Sequence, residues 1–131
     1  MVSNEILTMQ EVADRIRVAL DASDLDGFTG ILDPEVTWEA ADDPTPICSD
    51  RRQVLGWYQR RRDAGVRWHV TAMIVGTNGL LVGLRITRGD EAQDPGGAIE
   101  HWQALSIRGG RVYDIRGYAT REEAATRAGA V

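Results

Sequence analysis

Apolar residues recur with two different periods along the chain, and the change of period separates a helical part from a strand-rich part. The Thr-x-x-Glu pattern at Thr8 is a capping box and predicts the start of a first helix, along which apolar positions follow the helical period. A short second helix is predicted from Leu25 to Leu32. It stops there because the residue before Pro34 disfavours helical geometry.

The strands that the pattern predicts form one sheet. A first strand is expected over 36–40, followed by a third helix with its cap at Ser49 or Asp50. The period then changes to two, which predicts four strands joined in hairpins over 68–76, 80–88, 99–108 and 111–118. A second capping box at Thr120 predicts a short terminal helix. This order indicates an α+β fold, with helices on one face of a curved antiparallel sheet and a pocket between the layers.

The predicted strand over 99–108 carries polar residues in the middle of its apolar face. Side chains alternate across a strand, so His101 and Gln103 share a face with Leu105. Polar groups on a buried face cost free energy unless they are hydrogen-bonded. Either the protein satisfies the two side chains internally, or they line a cavity in which a ligand does. In a cavity, His101 would transfer a proton near neutral pH and Gln103 would hydrogen-bond a substrate carbonyl.

Three further residues are candidates for the walls of such a pocket, and each also has a purely structural interpretation. Trp38 shares a face with Val36 and is either a pocket wall or an ordinary core aromatic residue. His69 is either a partly exposed histidine or lies near His101 across the sheet. Arg85 either points into the pocket, where it pairs with an acidic ligand or a buried carboxylate, or lies on the outer surface. Both faces of the strand around His69 are fairly apolar, so alternation does not decide its side.

Composition narrows the functions that are compatible with this pattern. The 131 residues are expected to form one domain, 1–131, and their net charge of −5 argues against a nucleic-acid binder. No apolar run is long enough to span a membrane, and the N-terminal segment lacks the features of a signal peptide, so a cytoplasmic location is expected. Two histidines and one cysteine, without the spacing of a zinc motif, predict no metal site. All 15 basic residues are arginine, which excludes a lysine Schiff base or pyridoxal-phosphate anchor, and no cofactor is expected.

Four segments resemble the SnoaL-like group of the nuclear transport factor 2-like superfamily, and together they extend over nearly the whole chain. They are Leu20–Phe28, Val36–Glu39, Arg52–Tyr58 and Ile107–Tyr118. The resemblance implies a cone-shaped α+β fold of the cystatin-like type, with a curved antiparallel sheet wrapped on the N-terminal helices. It also implies that Tyr58 reaches the internal pocket. None of the segments is a catalytic signature, so they specify the fold more strongly than the chemistry.

The catalytic residues of related enzymes have no counterpart at the corresponding positions of this chain. Ketosteroid isomerases of the superfamily carry an aspartate base where this chain has Ala40. Their oxyanion tyrosine falls at Ile16, and their oxyanion aspartate falls at Gln103. The acid/base aspartate of SnoaL-like polyketide cyclases falls at Gly117. The resemblance therefore implies that both sets of catalytic carboxylates are missing.

A shift of one residue in this correspondence would bring Asp42 or Asp114 into the catalytic positions, so two functions remain open. In the first, the protein is an acid/base enzyme without a cofactor, of isomerase, cyclase, dehydratase or hydrolase type. His101 would then be the general acid or base, Gln103 or Tyr58 would stabilise an oxyanion, and Asp42 would orient or replace His101. In the second, the chain is a non-catalytic ligand-binding or assembly module.

Both functions predict the same kind of partner. A small, mainly apolar organic molecule would lie against Trp38, Tyr58 and Leu105, with His101 and Gln103 as polar anchors. Trp102 lies on the opposite face of its strand, and a tryptophan on an outer sheet face predicts a homodimer contact. No nucleic acid and no membrane is expected as a partner.

Overall fold

Helices and strands follow one another in the order that the sequence pattern predicts. The computed structural model describes residues 8–22, 24–40, 49–88 and 99–130, without the side chains of Ala40, Arg88 and Ile99. Its elements are α1 (Met9–Ala22), α2 (Leu25–Thr29), β1 (Leu32–Ala40), α3 (Arg51–Asp63), β2 (Val66–Val75), β3 (Gly79–Arg88), β4 (Ile99–Arg108), β5 (Arg111–Tyr118) and α4 (Arg121–Ala128). The predicted α+β class is confirmed. Over the residues described, no helix is long and apolar enough to cross a membrane.

Both capping boxes form as predicted and set the starts of α1 and α4. The Glu11 backbone N–H donates to Thr8 Oγ1 at 3.1 Å, and the Thr8 backbone N–H donates to Glu11 Oε1 at 3.0 Å. At α4, the Glu123 backbone N–H donates to Thr120 Oγ1, whose hydroxyl donates to Glu123 Oε1. Asp50 caps α3 with its side chain. These local contacts satisfy backbone donors that have no partner within the helix.

The five strands form one sheet in the order β1-β5-β4-β3-β2. Neighbouring strands are antiparallel except β1 and β5, which pair in parallel. The expectation of a wholly antiparallel sheet is therefore wrong at this edge. Alternation along a strand indicates which residues share a face, but it carries no information about the direction of the neighbouring strand.

The chain leaves α2 earlier than predicted. The helix ends at Thr29, and Leu32 already belongs to β1, so the predicted extension of the helix to Leu32 is wrong. Pro34 lies inside β1, where its missing N–H is tolerated because β1 is an edge strand. The register of β1 against β5 shifts between Leu32 and Thr37, and this irregularity contains the proline.

An aromatic cluster around Tyr58 lies at the centre of the core, between α1, α2 and α3 and the face of the sheet that we call the concave face. Tyr58 is 1% exposed, and its ring centroid is 5.2 Å from that of Phe28, 5.2 Å from that of Trp38 and 5.1 Å from that of Trp68. Trp38 belongs to β1 and Trp68 to β2, the two edge strands. In a flat sheet these strands would be about 19 Å apart, because adjacent strands are about 4.8 Å apart. Contact of one ring with both edges therefore requires a strongly curved sheet.

The terminal helix α4 packs on the opposite face of the sheet, which we call the outer face. Its buried alanines pack against Leu81 and Ala104, whose side chains point away from the main core. Its C-terminal end accepts hydrogen bonds from the β2–β3 turn, from Asn78 N to Ala128 O at 2.9 Å and from Thr77 N to Gly129 O at 3.1 Å. The expectation that all helices pack on one face is therefore wrong for α4.

Asp114 joins three elements on the outer face. It is 7% exposed and accepts hydrogen bonds from Thr37 Oγ1 of β1 at 2.7 Å and from Arg116 Nε of β5 at 3.2 Å. Arg127 Nη2 of α4 also contacts its carboxylate, at 3.5 Å. Arg116 extends the network to Glu39 of β1 at 2.9 Å. The network ties the parallel edge strand and the terminal helix to β5.

Replacement of Asp114 tests this network. Asp114→Ala leaves Arg116 and Arg127 without their shared carboxylate, and we expect the free energy of unfolding to fall by about 1–3 kcal/mol, since water reaches both guanidinium groups in part. The matched control is Asp63→Ala, which removes an exposed carboxylate 3.8 Å from Arg62 and should leave stability unchanged within error. Urea unfolding measures both variants, and equal effects would contradict a structural role for the network.

Candidate functional site

The register of β4 against β3 places the two polar residues of β4 on the concave face. Leu84 is opposite His101, and Val82 is opposite Gln103. Leu84 and Val82 are fully buried members of the main core, so their neighbours on β4 face the same layer of helices. Leu105, the next residue on this face, is 2% exposed. His101 and Gln103 therefore continue the core surface toward the end of the sheet where β4 begins.

Gln103 is buried without a hydrogen-bonding partner among the residues that the structure describes. Its residue exposure is 3%, and no described donor or acceptor pairs with its amide. Among the described side chains, the Thr87 hydroxyl is the polar group that has neither solvent contact nor a hydrogen-bonding partner. The Gln103 amide differs from it in keeping some access to open space. Little water reaches a residue that is 3% exposed, so a ligand that hydrogen-bonds with the amide would add a contact that the described protein groups do not supply.

His101 lies closer to the open end of the concave face. It is half-buried, and burial lowers the pKa of its imidazole below the ordinary value of 6.5. The ring is therefore neutral at pH 7 and has one nitrogen that accepts a proton. Exposure rises along this face of β4 from Leu105 and Gln103 to His101, so solvent reaches the imidazole more than the amide.

Trp38, Tyr58 and Leu105 all lie on the concave side, buried in the main core. Trp57 joins them, with its ring 4.4 Å from that of Trp38 and at a right angle to that of Tyr58. Trp57 and Tyr58 are adjacent in α3, so their side chains leave the helix in different directions. Both contact Trp38, because its indole ring lies between the two side chains. Trp38 lies in the row of Ile115 and Leu105, next to the row that contains Gln103.

His69 and Arg85 lie on the outer face and are exposed. They are opposite each other across β2 and β3, and Arg85 is also opposite Glu100. Neither residue lies beside His101 and Gln103, so their prediction as residues of the same pocket is corrected. The two histidines are on different faces, and among the described residues no three His, Cys, Asp or Glu side chains cluster as metal ligands would.

A bulge explains why the pattern of β2 was ambiguous. Val70 is opposite Leu84 and Ala72 is opposite Gly83, so Thr71 is an extra residue in β2. The bulge reverses the alternation, and both Val70 and Met73 face the main core although they are three residues apart. Both faces of the strand consequently look apolar in the sequence. The position of a bulge depends on the pairing of two strands and has no clear local signal.

The positions that correspond to catalytic carboxylates in related enzymes meet in one row across the sheet. Ala40 is opposite Gly117, and Gly117 is opposite Gln103. Asp114 lies on the outer face in its ion pairs, so it does not reach this row. Asp42 lies outside the described residues. The row thus contains an amide and two of the smallest residues, and no carboxylate.

Acidification should destabilise the protein through His101. The pKa of this imidazole is lowered by burial in the folded state, so the unfolded chain takes up a proton at a higher pH than the folded protein does. This group costs no stability well above pH 6.5, and stability falls as the pH drops from 6.5 toward the folded-state pKa.

Melting temperature measured against pH tests this expectation. His101→Gln should flatten the curve below about pH 6.5, whereas His69→Gln on the exposed outer face should keep the wild-type slope. The opposite pattern, with His69→Gln flattening the curve and His101→Gln keeping it steep, would show that burial of His101 is not the cause.

Several solved structures share this fold at low sequence identity. A proposed polyketide cyclase from Sinorhizobium meliloti is 15% identical, with a TM-score of 0.64 over 86% of this chain and 100% of its own. A proposed ketosteroid isomerase from Kribbella flavida is 18% identical, with a TM-score of 0.69 over 83% of this chain and 75% of its own. IdmH, a proposed polyketide cyclase from Streptomyces antibioticus, is 16% identical, with a TM-score of 0.63 over 86% and 91%. Similarity at this level shows a common fold and leaves the reaction open.

The sequence itself shows the family. A search of curated proteins finds no similar sequence. The sequence model of the SnoaL-like domain matches residues 12–116, which extend from α1 into β5 and include His101 and Gln103. The chain therefore belongs to the SnoaL-like domain family of the nuclear transport factor 2-like superfamily.

Proposed function

We propose that the protein binds a small, mainly apolar organic molecule against the concave face of its sheet and transfers a proton to or from it through His101. The observation that carries this proposal is the buried Gln103 amide, which has no partner among the described residues and lies two positions from a half-buried histidine. The Gln103 amide and the His101 imidazole are polar, so they stabilise this buried surface less than apolar side chains would. Both are suited to hydrogen bonding with a molecule that enters from outside.

The aromatic residues below the amide supply the apolar part of the site. Trp38 is 5% exposed and Leu105 is 2% exposed, and both lie on the concave face beside Gln103. A ring or short chain of a ligand would bury its own apolar surface here, at a gain of about 25 cal/mol for each Å² removed from water. Trp38 and Leu105 themselves have almost no exposed surface left to cover. The polar anchors would then fix its orientation.

The reaction would be general acid/base catalysis of isomerase, cyclase, dehydratase or hydrolase type. The neutral imidazole of His101 would accept a proton from a carbon next to a carbonyl, or from a hydroxyl group. The Gln103 amide N–H would donate to the oxygen on which negative charge develops. Asp42 follows Ala40 by two residues along the chain, and we propose it as a group that orients His101 or shares its role.

A non-catalytic binding module is the second candidate. It is favoured by the row Ala40, Gly117 and Gln103, in which no residue has the carboxylate that related enzymes use. A histidine without an acidic partner is a weaker catalyst than a paired one, because nothing stabilises its protonated form. Binding and proton transfer must therefore be measured separately.

Assembly as a homodimer and a cytoplasmic location stay predictions. On the outer face, α4 covers Leu81 and Ala104. A dimer contact would have to use the remaining surface, where His69, Arg85 and Glu100 are exposed. Trp102, the residue predicted to make this contact, is half-buried and packs against the same cluster as α4.

Replacement of the buried amide separates function from stability. We expect Gln103→Leu to raise the free energy of unfolding by about 0.5–1 kcal/mol, because an apolar side chain replaces an unpaired amide. The same variant should bind 2-tetralone, an uncharged bicyclic ketone, about tenfold more weakly, as measured by quenching of tryptophan fluorescence.

Gln59→Leu on the exposed side of α3 is the matched control and should leave the affinity for 2-tetralone unchanged. A clear loss of stability in Gln103→Leu would mean that the protein itself satisfies this amide. The assignment of Gln103 as a ligand anchor would then be wrong.

Exchange of the α-protons of 2-tetralone in D₂O measures proton transfer without knowledge of the natural substrate. The wild-type protein should accelerate the exchange, and His101→Ala should reduce the acceleration by about 100-fold or more while 2-tetralone still binds. His69→Ala changes the other histidine of the chain and should exchange like wild type. Binding without any acceleration in the wild type would favour the non-catalytic module.

A further inference from the structure

Gly117 of β5 lies where the His101 imidazole reaches the neighbouring strand. A Cβ atom at position 117 would stand 2.9 Å from His101 Nε2 and 3.0 Å from its Cε1. Carbon and nitrogen atoms that are not bonded do not approach so closely in folded proteins. The imidazole thus occupies the space that any side chain at position 117 would need.

The direction of the ring follows from the strand pairing. On β5, Gly117 is opposite Gln103, two residues along β4 from His101. The imidazole therefore leans diagonally toward the row of Gln103, a distance that a long side chain spans easily. Because position 117 has no side chain, the imidazole of His101 lies over the same part of β5 that is opposite Gln103.

Charge on this surface limits what can bind there. Of the described side chains on the concave face of β3, β4 and β5, the polar ones are His101 and Gln103. The others are apolar: Leu80, Val82, Leu84, Ile86, Leu105, Ile107, Val112 and Ile115. A carboxylate or phosphate on the ligand would lose its hydration here and meet no opposite charge from these side chains.

Resting on the function proposed above, we infer that Gly117 positions His101, and that the group bound between His101 and Gln103 is the oxygen of an uncharged carbonyl or hydroxyl compound. Gly117 acts through the histidine and touches no ligand in this role, so it is a positioning residue. Gly117 lies within strand β5, where the backbone does not call for glycine. What His101 requires at this position is therefore the absence of a side chain.

Gly117→Ala tests the positioning role without any ligand. The ¹⁵N and ¹H signals of the His101 imidazole should shift, and the pKa of His101 should rise toward 6.5 as the ring moves toward solvent. The signals of His69 should not change, because that residue lies on the outer face. Gly30→Ala, where nothing lies within 4 Å of the new Cβ, is the control and should leave both histidines unchanged. Identical His101 signals and titration in Gly117→Ala and wild type would overturn the inference.

A double-mutant cycle keeps the test valid if Gly117→Ala folds poorly. The drop in melting temperature caused by Gly117→Ala should largely disappear in a His101→Ala background, because the imidazole that the methyl group meets is then absent. An equal drop in both backgrounds would show that the backbone of β5, and not His101, requires glycine, and would overturn the positioning role.

The class of ligand is tested with two probes of similar size. We expect 2-tetralone to bind at least tenfold more tightly than 1,2,3,4-tetrahydro-2-naphthoate at pH 7.5, and Gly117→Ala to weaken the binding of 2-tetralone at least tenfold. Tighter binding of the carboxylate would overturn the assignment of an uncharged ligand. The NMR signals of His101 and the double-mutant cycle are measured without a ligand. They can therefore support the role of Gly117 even if neither probe binds and the proposed function fails.

Discussion

The contact of Tyr58 with both edges of the sheet is the constraint on which the rest of the structure depends. Its ring packs against Trp38 of β1 on one side and Trp68 of β2 on the other, although three strands separate these two in the sheet. This contact is possible because the sheet curves around α3. The curvature defines a concave face that is closed by aromatic rings at its base and that continues along β4 past Gln103 to His101.

The two faces of the sheet consequently differ in the contacts that they make. The outer face carries the ion pairs of Asp114 and the small alanine contacts of α4, which hold the edge strand β1 and the helix α4 to the rest of the sheet. Its charged groups are paired with one another or exposed. The concave face keeps a buried amide and a half-buried imidazole without described partners, at a cost in stability that packing alone does not explain. The function proposed above assigns both groups to ligand binding.

The row of Ala40, Gly117 and Gln103 shows how the scaffold differs from its catalytic relatives. Small residues and an amide occupy positions where related enzymes have acids, and the imidazole of His101 reaches over Gly117 from the neighbouring strand. The titratable group beside this row is the imidazole of His101, which belongs to β4. A fold can retain a binding surface in this way while the chemistry on it changes.

Local patterns in the sequence were sufficient for the caps of α1 and α4 and for the common face of His101, Gln103 and Leu105, because capping boxes and strand alternation act over a few residues. Tertiary pairing alone decided the parallel partner of β1, the bulge at Thr71 that made both faces of β2 apolar, and the approach of His101 to Gly117. Each of these depends on which distant residues become neighbours and in what register. The residue pattern of one strand does not specify which strand pairs with it or in what register.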